Sequence, residues 1–191
     1  MISIKKLKNN IYYTKLPKDI TKEISSWKKN CDKTKRHPLG YLKEHENVGF
    51  FGNDYQISVP SHLVENSFWF PYTLKAAAKA FGGYHRDYFL RKWNNHFDGY
   101  DVWINYAKKN CFNPTHDHAG FVSGVIYFNN KENTVFPDDN FKFCGKKGDM
   151  IMFPAKTRHG VRRQKTEYER ITFAFNLEKR TYETERPAIS K

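Results

Sequence analysis

Apolar positions in the first half of the chain follow helical spacing in two places. The segment "DITKEISSWKKN" puts Ile20, Ile24 and Trp27 on one side of a predicted helix. "YTLKAAAKAF" predicts a second helix, because two glycines follow it directly. The aromatic-rich "YHRDYFLRKWNNHF" predicts a further helix or a loop. Residues 1–97 are therefore predicted to form a mixed, partly helical support region.

The second half changes to short segments of β-branched and aromatic residues, separated by clusters of Gly, Pro, Asn and Asp. These predicted strands are "DVWINYAKK", "FVSGVIYF", "FKFCG", "DMIMFP" and "RITFAFNLEK". Several strands at such short spacing favour a sandwich or barrel over residues 98–178, followed by a tail at 179–191. A length of 191 residues suits one domain, so we expect a single α+β domain over 1–191.

Composition restricts the class of protein further. No stretch approaches the roughly 20 apolar residues of a membrane helix, and "MISIKKLKNN" is too polar for a secretory signal. Cys31, Cys111 and Cys144 are odd in number and lack zinc-finger spacing. We interpret them as reduced thiols and predict a cytoplasmic protein.

The net charge of +13 is the most unusual bulk property. It would suit an acidic partner such as nucleic acid. Lysines are scattered, however, and asparagine is abundant throughout, which is typical of compositional drift. No RNA-binding or helix-turn-helix signature accompanies the charge, so both interpretations stay open.

Two histidines stand one residue apart in "NPTHDHAGFVSGVIYF", just before an apolar run. In a strand, residues i and i+2 point to the same face, so His116 and His118 are predicted to converge while Asp117 points away. Neutral imidazole is a good ligand for iron, zinc and copper. Surface or core histidines would explain the pair equally well, since histidine is often partly buried.

A third histidine strengthens the metal interpretation. "GDMIMFPAKTRHGVRR" predicts a turn, a strand ended by Pro154, a loop and then His159. A strand hairpin would return His159 to the first pair. The five other histidines lack such a setting and are interpreted as surface or packing residues.

Strand alternation also assigns Arg170 to one face of a predicted strand. In "RITFAFNL", Arg170 shares a face with the small or polar Thr172, Ala174 and Asn176, and the opposite face is apolar. If the apolar face is packed, the other lines a cavity or meets solvent. An arginine in a cavity requires an anion, and its planar fork suits a carboxylate. The alternative is a surface arginine on an edge strand.

The ordered series "WINY", "NPTHDHAGFVSGVIYF", "GDMIMFPAKTRHGV" and "ERITFAFN" resembles the small bacterial and phage 2-oxoglutarate/Fe(II)-dependent oxygenases, which are relatives of the prolyl hydroxylases. The resemblance covers roughly residues 100–178. It implies a double-stranded β-helix, also called a jelly roll, with helices buttressing one side.

The same resemblance implies roles for individual residues. His116 takes the place of the proximal iron ligand and His159 that of the distal one. Arg170 stands where the family's basic residue binds the far carboxylate of 2-oxoglutarate. Tyr106 corresponds to a tyrosine that often reaches the cosubstrate, and Asn105 and Tyr127 are weaker candidates for that contact.

One position departs from the usual family pattern. The iron triad of these enzymes is commonly two histidines and a carboxylate, but His118 occupies the carboxylate position here. Strand alternation favours the triad His116, His118 and His159. The alternative is His116, Asp117 and His159, which requires an irregular strand that turns Asp117 inward.

The resemblance implies a dioxygenase that uses Fe(II) and 2-oxoglutarate to hydroxylate a C–H bond. The primary substrate is not readable, and an amino acid, a protein side chain or, less favoured, a nucleic acid would fit. Two other functions stay open. One is a cupin-type three-histidine dioxygenase without 2-oxoglutarate, and the other is a non-catalytic jelly-roll binding module.

Overall fold

The computed structural model of the protein describes residues 1–31, 36–38, 55–92 and 99–180. Its helices are α1 (Lys18–Asn30), α2 (Ser61–Glu65), α3 (Trp69–Phe81) and a 3-10 turn at His85–Asp87. The strands of the first half are β1 (Lys5–Lys8), β2 (Ile11–Lys15), β3 (Arg36–Pro38), β4 (Tyr55–Ser58) and β5 (Tyr88–Leu90). Those of the second half are β6 (Val102–Ala107), β7 (Asn113–His116), β8 (Val122–Asn129), β9 (Thr134–Phe136), β10 (Phe141–Phe143), β11 (Asp149–Pro154), β12 (His159–Val161) and β13 (Arg170–Lys179).

Within the described residues, the strands form two sheets. The larger has nine strands in the order β1-β2-β11-β8-β13-β6-β4-β3, with β5 paired to β13, and the smaller has the order β10-β9-β12-β7. The pairings of β13 with β6, β8 and β5 are antiparallel, as are those of β12 with β7 and β9. The predicted α+β class with a jelly-roll-like β core is confirmed.

The helices pack on the outer face of the larger sheet, as predicted. Ile20, Ile24 and Trp27 form the buried side of α1. The ring of Phe173 on β13 lies 5.5 Å from Trp27 and 5.1 Å from Trp69, measured between ring centroids. Tilted and edge-on ring pairs at these distances add to the free energy gained from burying apolar area. This aromatic layer fixes the outer face of β13.

The larger sheet takes β1 to β5 from the first 97 residues. One sequence-based expectation for this region needs correction. The segment that predicted a helix or an aromatic loop forms the 3-10 turn and then β5, and its last residues, 93–97, lie outside the described ones. Pairing of Leu90 with Leu177 draws β5 into the sheet, a tertiary contact that overrides local propensity.

Gly82 explains why α3 ends where the sequence predicted. Gly82 follows α3 with φ of 78°, and its N–H donates to the carbonyl oxygen of Ala78. Residues with a Cβ rarely adopt this conformation, so the glycine ends the helix where the sequence predicted.

Among the described residues, no helix has both the length and the apolar character that crossing a membrane requires. The three cysteines are free thiols, with Cys31 and Cys111 buried and Cys144 exposed.

Candidate active site

A cavity of about 410 Å³ lies between the inner faces of the two sheets. The larger sheet contributes side chains from β4, β6, β8, β11 and β13, and the smaller sheet contributes side chains from β7, β9 and β12. Polar lining residues include Gln56, Asn105, Thr134, Thr172 and Asn176. Apolar ones include Val125, Phe153, Val161 and Ala174. A concave site with a few converging polar groups is the usual form of a ligand-binding pocket.

Three histidines meet in this cavity. His116 ends β7 and His159 begins β12, and the two are direct partners across the antiparallel pair. His118 lies two residues beyond β7, where its backbone N–H donates to the carbonyl oxygen of Ala155 at 2.9 Å. The potential ligand atoms of the three side chains all lie within 4.8 Å of one another. The predicted grouping is therefore present, although β7 ends before His118, which lies in the irregular segment that follows the strand.

Two of these rings are oriented by the backbone. The Nδ1 atom of His116 is 2.7 Å from the carbonyl oxygen of Pro114, and Nδ1 of His159 is 3.0 Å from that of Thr157. A carbonyl oxygen only accepts, so each Nδ1 carries the proton. The other ring nitrogen, Nε2, is left with a free lone pair, which is the arrangement commonly seen for metal-bound histidines.

Burial keeps all three imidazoles neutral. Desolvation lowers the pKa of His116, and it lowers that of His159 to about 4, with the neighbouring His116 adding to the effect. The pKa of His118 falls to about 2, mainly through desolvation and then through the charges of His159, His116, Arg91 and Lys156. A histidine ligand binds a metal in its neutral form. The site is therefore ready to accept a cation at neutral pH.

Asp117 lies at the rim rather than among the three histidines. Its side chain is 45% exposed, and its carboxylate is 3.9 Å from Nζ of Lys156. The structure thus groups His118, and not Asp117, with His116 and His159. This is the arrangement that alternation favoured.

Arg170 is buried and lines the same cavity. It begins β13, and Thr172, Ala174 and Asn176 line the cavity with it, as alternation predicted. Phe173 faces the helices instead. The expectation of a cavity-facing arginine therefore agrees with the geometry, and the surface alternative does not.

Asn105 lines the cavity itself, whereas Tyr127 reaches it only through a hydrogen bond to a lining residue. Asn105 lines the cavity and donates from Nδ2 to Oγ1 of Thr172 at 3.3 Å, while its Oδ1 accepts from Gln56 and Trp103. Tyr127 is fully buried, and its hydroxyl is 2.7 Å from Oγ1 of Thr134, which lines the cavity. Burial raises the pKa of Tyr127, so its hydroxyl keeps its proton.

Tyr106 is not brought to the cavity. On β6 it pairs with Ile171 and packs with Val102 and Ile104 in the core beneath the helices. The inward residues of that strand are Trp103 and Asn105. The alternation of β6 around Asn105 was the signal in the sequence that would have placed Tyr106 on the outer face.

Sequence reasoning missed a buried polar chain beside the histidines. Ser123 donates to Oδ1 of Asn176 at 2.5 Å, and Nδ2 of Asn176 donates to Asp101 at 2.6 Å. Asp101 also accepts from Arg91 at 3.1 Å. Only Asn176 was recognisable in the sequence, through its alternation with Arg170. Ser123, Asp101 and Arg91 come together only in the tertiary structure, so no local pattern in the sequence marks them.

His62 and His85 lie in α2 and in the 3-10 turn, away from the cavity lining. The prediction for His45 and His96 falls outside the described residues, as does the side chain of His37.

Residues 129–176 match the model of a family described as "Putative 2OG-Fe(II) oxygenase". Comparison with curated proteins gave no match. The predicted resemblance to the 2-oxoglutarate/Fe(II)-dependent oxygenases is confirmed. The match agrees with the predicted enzyme class and with its two predicted cofactors, Fe(II) and 2-oxoglutarate. The matched segment contains His159 and Arg170, but begins after His116 and His118.

Solved structures share the fold over most of the chain. A prolyl-4-hydroxylase from Pseudomonas putida is 14% identical, with a TM-score of 0.59 over 90% of this chain and 93% of its own. The viral collagen prolyl hydroxylase of Paramecium bursaria Chlorella virus-1, in complex with 2-oxoglutarate, is 13% identical, with a TM-score of 0.56 over 91% and 97%.

A third similar structure is HygX from Streptomyces hygroscopicus with nickel, 2-oxoglutarate and hygromycin B bound. It is 11% identical, with a TM-score of 0.58 over 90% of this chain and 84% of its own. At these identities the likenesses show the fold, while the roles of individual residues rest on the site itself.

Proposed function

We propose that the protein is a dioxygenase that hydroxylates a C–H bond of its substrate and converts 2-oxoglutarate to succinate and carbon dioxide. The observation that carries the proposal is the combination of three converging histidines and a buried arginine in one cavity. The histidines fit a metal, and the arginine fits the anionic cosubstrate that this oxidation consumes.

The proposed metal ligands are His116, His118 and His159. Their imidazoles are neutral and borderline in softness, which suits Fe(II). The carbonyl oxygens of Pro114 and Thr157 hold the rings of His116 and His159 in place, so little reorganisation accompanies binding. Three neutral ligands leave the full charge of the ion to attract the negatively charged cosubstrate.

When bound, Fe(II) supplies the activation of dioxygen, of which one oxygen atom enters succinate and the other enters the hydroxylated substrate. The protein's own contribution is binding, orientation and exclusion of water. Val125, Phe153 and Ala174 give the cavity apolar walls that limit water near the reacting groups.

The proposed partner of the far carboxylate of 2-oxoglutarate is Arg170, whose planar fork offers two parallel N–H donors. Thr172 and Thr134 line the cavity with it and offer hydroxyl groups. Asn105 and Tyr127 contribute through those two threonines, to which each is hydrogen-bonded.

The primary substrate is proposed to be an amino acid or a protein side chain, with nucleic acid as the third option. Gln56, Trp103 and Asn105 are partly exposed lining residues and give one part of the cavity a polar surface. Hydrogen-bonding groups of this kind suit a polar substrate.

The decisive experiment is an anaerobic titration of 2-oxoglutarate into the Fe(II)-loaded protein, followed by an assay for succinate after air is admitted. Removing one partner of a buried charge pair costs roughly 2–5 kcal/mol. Arg170→Ala should then weaken binding of 2-oxoglutarate by about 30-fold to several thousand-fold. Arg170→Lys should recover only part of this, because an ammonium cannot form the two parallel bonds.

The matched control is Arg158→Ala, since Arg158 is 59% exposed and pairs at 3.6 Å with the exposed Asp138. It should bind 2-oxoglutarate as the wild type does, and all three variants should keep the metal. Equal affinity of Arg170→Ala and Arg158→Ala for 2-oxoglutarate would show that Arg170 does not bind the cosubstrate. Absence of binding to the wild type at millimolar concentration would favour a three-histidine dioxygenase or a non-catalytic module.

A further inference from the structure

Gln164 lies in the segment between β12 and β13 and is held by its backbone on both sides. Its N–H donates to the carbonyl oxygen of Cys111 at 2.9 Å, and its own carbonyl oxygen accepts from the N–H of Asn110 at 2.9 Å. The residue is 1% exposed. Its position beside the start of β13 is therefore fixed.

The orientation of its side-chain amide is fixed as well. Nε2 of Gln164 is within hydrogen-bond distance of two carbonyl oxygens, that of Thr166 at 3.2 Å and that of Tyr168. Carbonyl oxygens only accept, so the atom between them has to be the NH₂ group. The oxygen Oε1 consequently points the other way.

Oε1 of Gln164 is buried and accepts no hydrogen bond from any residue that the structure describes. Burying a carbonyl oxygen without a donor is costly. Gln164 lines a second, smaller cavity of about 10 Å³, which is close to the space that one water molecule occupies. We therefore look for a hydrogen-bond donor to Oε1 among the other residues that line the small cavity.

Arg170 lines both cavities. Its side chain reaches the large cavity of the histidines and also the small one that Gln164 lines. Of the described side chains lining the small cavity, that of Arg170 carries a positive charge, and its guanidinium has five N–H donors. Two of these donors suffice for a carboxylate in the large cavity.

We propose that one water in the small cavity links Oε1 of Gln164 to the guanidinium of Arg170, donating a hydrogen bond to Oε1 and accepting one from the guanidinium, and that this link aims the guanidinium at the carboxylate of 2-oxoglutarate. Gln164 is then a positioning residue, which acts on the cosubstrate only through Arg170. This inference rests on the proposed role of Arg170.

The physical advantage is preorganisation. A long arginine side chain loses rotamer entropy when it binds an anion. An acceptor behind the guanidinium already orders the arginine side chain in the folded protein, so this entropy is not lost again when the ligand binds. The two N–H donors that bind a carboxylate then face the ligand. Removing the acceptor should weaken recognition of the far carboxylate and leave the metal ligands unaffected.

The test compares Gln164→Leu with Gln164→Glu on the Fe(II)-loaded protein without oxygen. The probes are 2-oxoglutarate and 2-oxopentanoate, which has the same chain length but a methyl group in place of the far carboxylate. Their affinity ratio measures recognition of that carboxylate alone. Both variants lose the NH₂ bonds to Thr166 and Tyr168, whereas only Gln164→Glu keeps an acceptor oxygen.

We expect Gln164→Leu to reduce the ratio by on the order of 10-fold or more, as for loss of a hydrogen bond to a charged group. Gln164→Glu should keep most of it, and both should bind Fe(II) like the wild type. An equal loss in the two variants would show a merely structural role for the NH₂ group and overturn the inference. An unchanged ratio in Gln164→Leu would overturn it too.

The wild type separates this inference from the proposed function. A wild-type protein with no preference for 2-oxoglutarate would overturn the role of Arg170 and this inference with it. A clear wild-type preference that survives in Gln164→Leu would overturn the inference alone. If neither variant folds, a crystal structure of the wild-type complex decides. A structure with no water within about 3.5 Å of both Oε1 and the guanidinium, a hydrogen-bond cut-off, would contradict the inference.

Discussion

The two faces of β13 are built from one run of ten residues and serve opposite purposes. On the outer face, Phe173 packs against Trp27 and Trp69, and this contact layer joins the helices to the larger sheet. On the inner face, Arg170, Thr172 and Asn176 are equally buried but line the cavity of the histidines. The difference shows that burial alone does not separate stability from chemistry.

The reason lies in what each buried group requires. Apolar rings on the outer face gain free energy from leaving water and need only close packing. Buried polar groups on the inner face lose hydration and need partners of matching charge or hydrogen-bonding type. Substitutions on the outer face should therefore reduce stability, whereas substitutions on the inner face should reduce binding of metal or cosubstrate.

The largest effect is expected on the inner face, for His159→Ala. This change removes one of three proposed ligands, and it should abolish stoichiometric Fe(II) binding while the helix-covered face keeps the protein folded. The loss should exceed the roughly 100-fold effect of removing a partner that merely supports a ligand. Metal analysis after equilibrium dialysis measures it, with His85→Ala as the control because His85 lies outside the cavity lining. Full metal content in His159→Ala would refute the assignment.

Phe173→Ala tests the outer face. It leaves a cavity between the helices and the sheet and should lower the free energy of unfolding by about 3–5 kcal/mol. The folded fraction should still bind Fe(II) with unchanged affinity, since Phe173 points away from the histidines. Urea denaturation and metal titration together check both statements. A variant with normal stability and weakened metal binding would reverse the distinction between the faces.

Gly160→Ala tests how the smaller sheet positions the histidines. A Cβ at this position would lie 2.8 Å from the carbonyl oxygen of Asn113 and 3.1 Å from that of Pro114, which orients His116. Because both contacts are backbone atoms, β7 has to shift, and we expect metal affinity to fall about 10- to 100-fold, as for a lost supporting contact. Competition titration against a chelator measures this. Gly82→Ala is the comparison, since a Cβ there meets nothing within 4 Å and its cost is confined to the end of α3.

The smallest effect is expected for the pH dependence of stability at Asp101, which accepts a hydrogen bond from Asn176 on the inner face of β13. Burial raises the pKa of this carboxyl above its ordinary value of 3.8, against the opposing effect of Asn176 and Arg91. Folding therefore favours the protonated form. This contribution to stability is fully present below pH 3.8 and declines as the pH rises through the raised pKa of the folded protein.

The measurement is the free energy of unfolding of the wild type minus that of Asp101→Asn, followed from acid to neutral pH. The difference should become less favourable to the wild type as the pH rises above 3.8. Titrations common to both proteins cancel in the difference. A constant difference, or one that changes in the opposite direction, would contradict the raised pKa.

The sequence alone determined the parts of this protein that follow a local period. Three residues at helical spacing defined the buried side of α1, and alternation assigned Arg170 and Phe173 to opposite faces of β13. These inferences succeed because the direction of a side chain within a single element depends only on the geometry of that element. The same rule, applied to β6, separates Asn105 from Tyr106.

Which elements meet depends on long-range pairing that the sequence does not reveal. The pairing of β7 with β12 puts His159 opposite His116, and His118 joins them from the segment after β7, where its N–H donates to the carbonyl oxygen of Ala155. The pairing of β4 with β6 brings Gln56 to Asn105, and Gln164 is placed beside the start of β13 by bonds to Asn110 and Cys111. Register between distant strands is set by the joint burial of both sheets, so no local period in the sequence contains it.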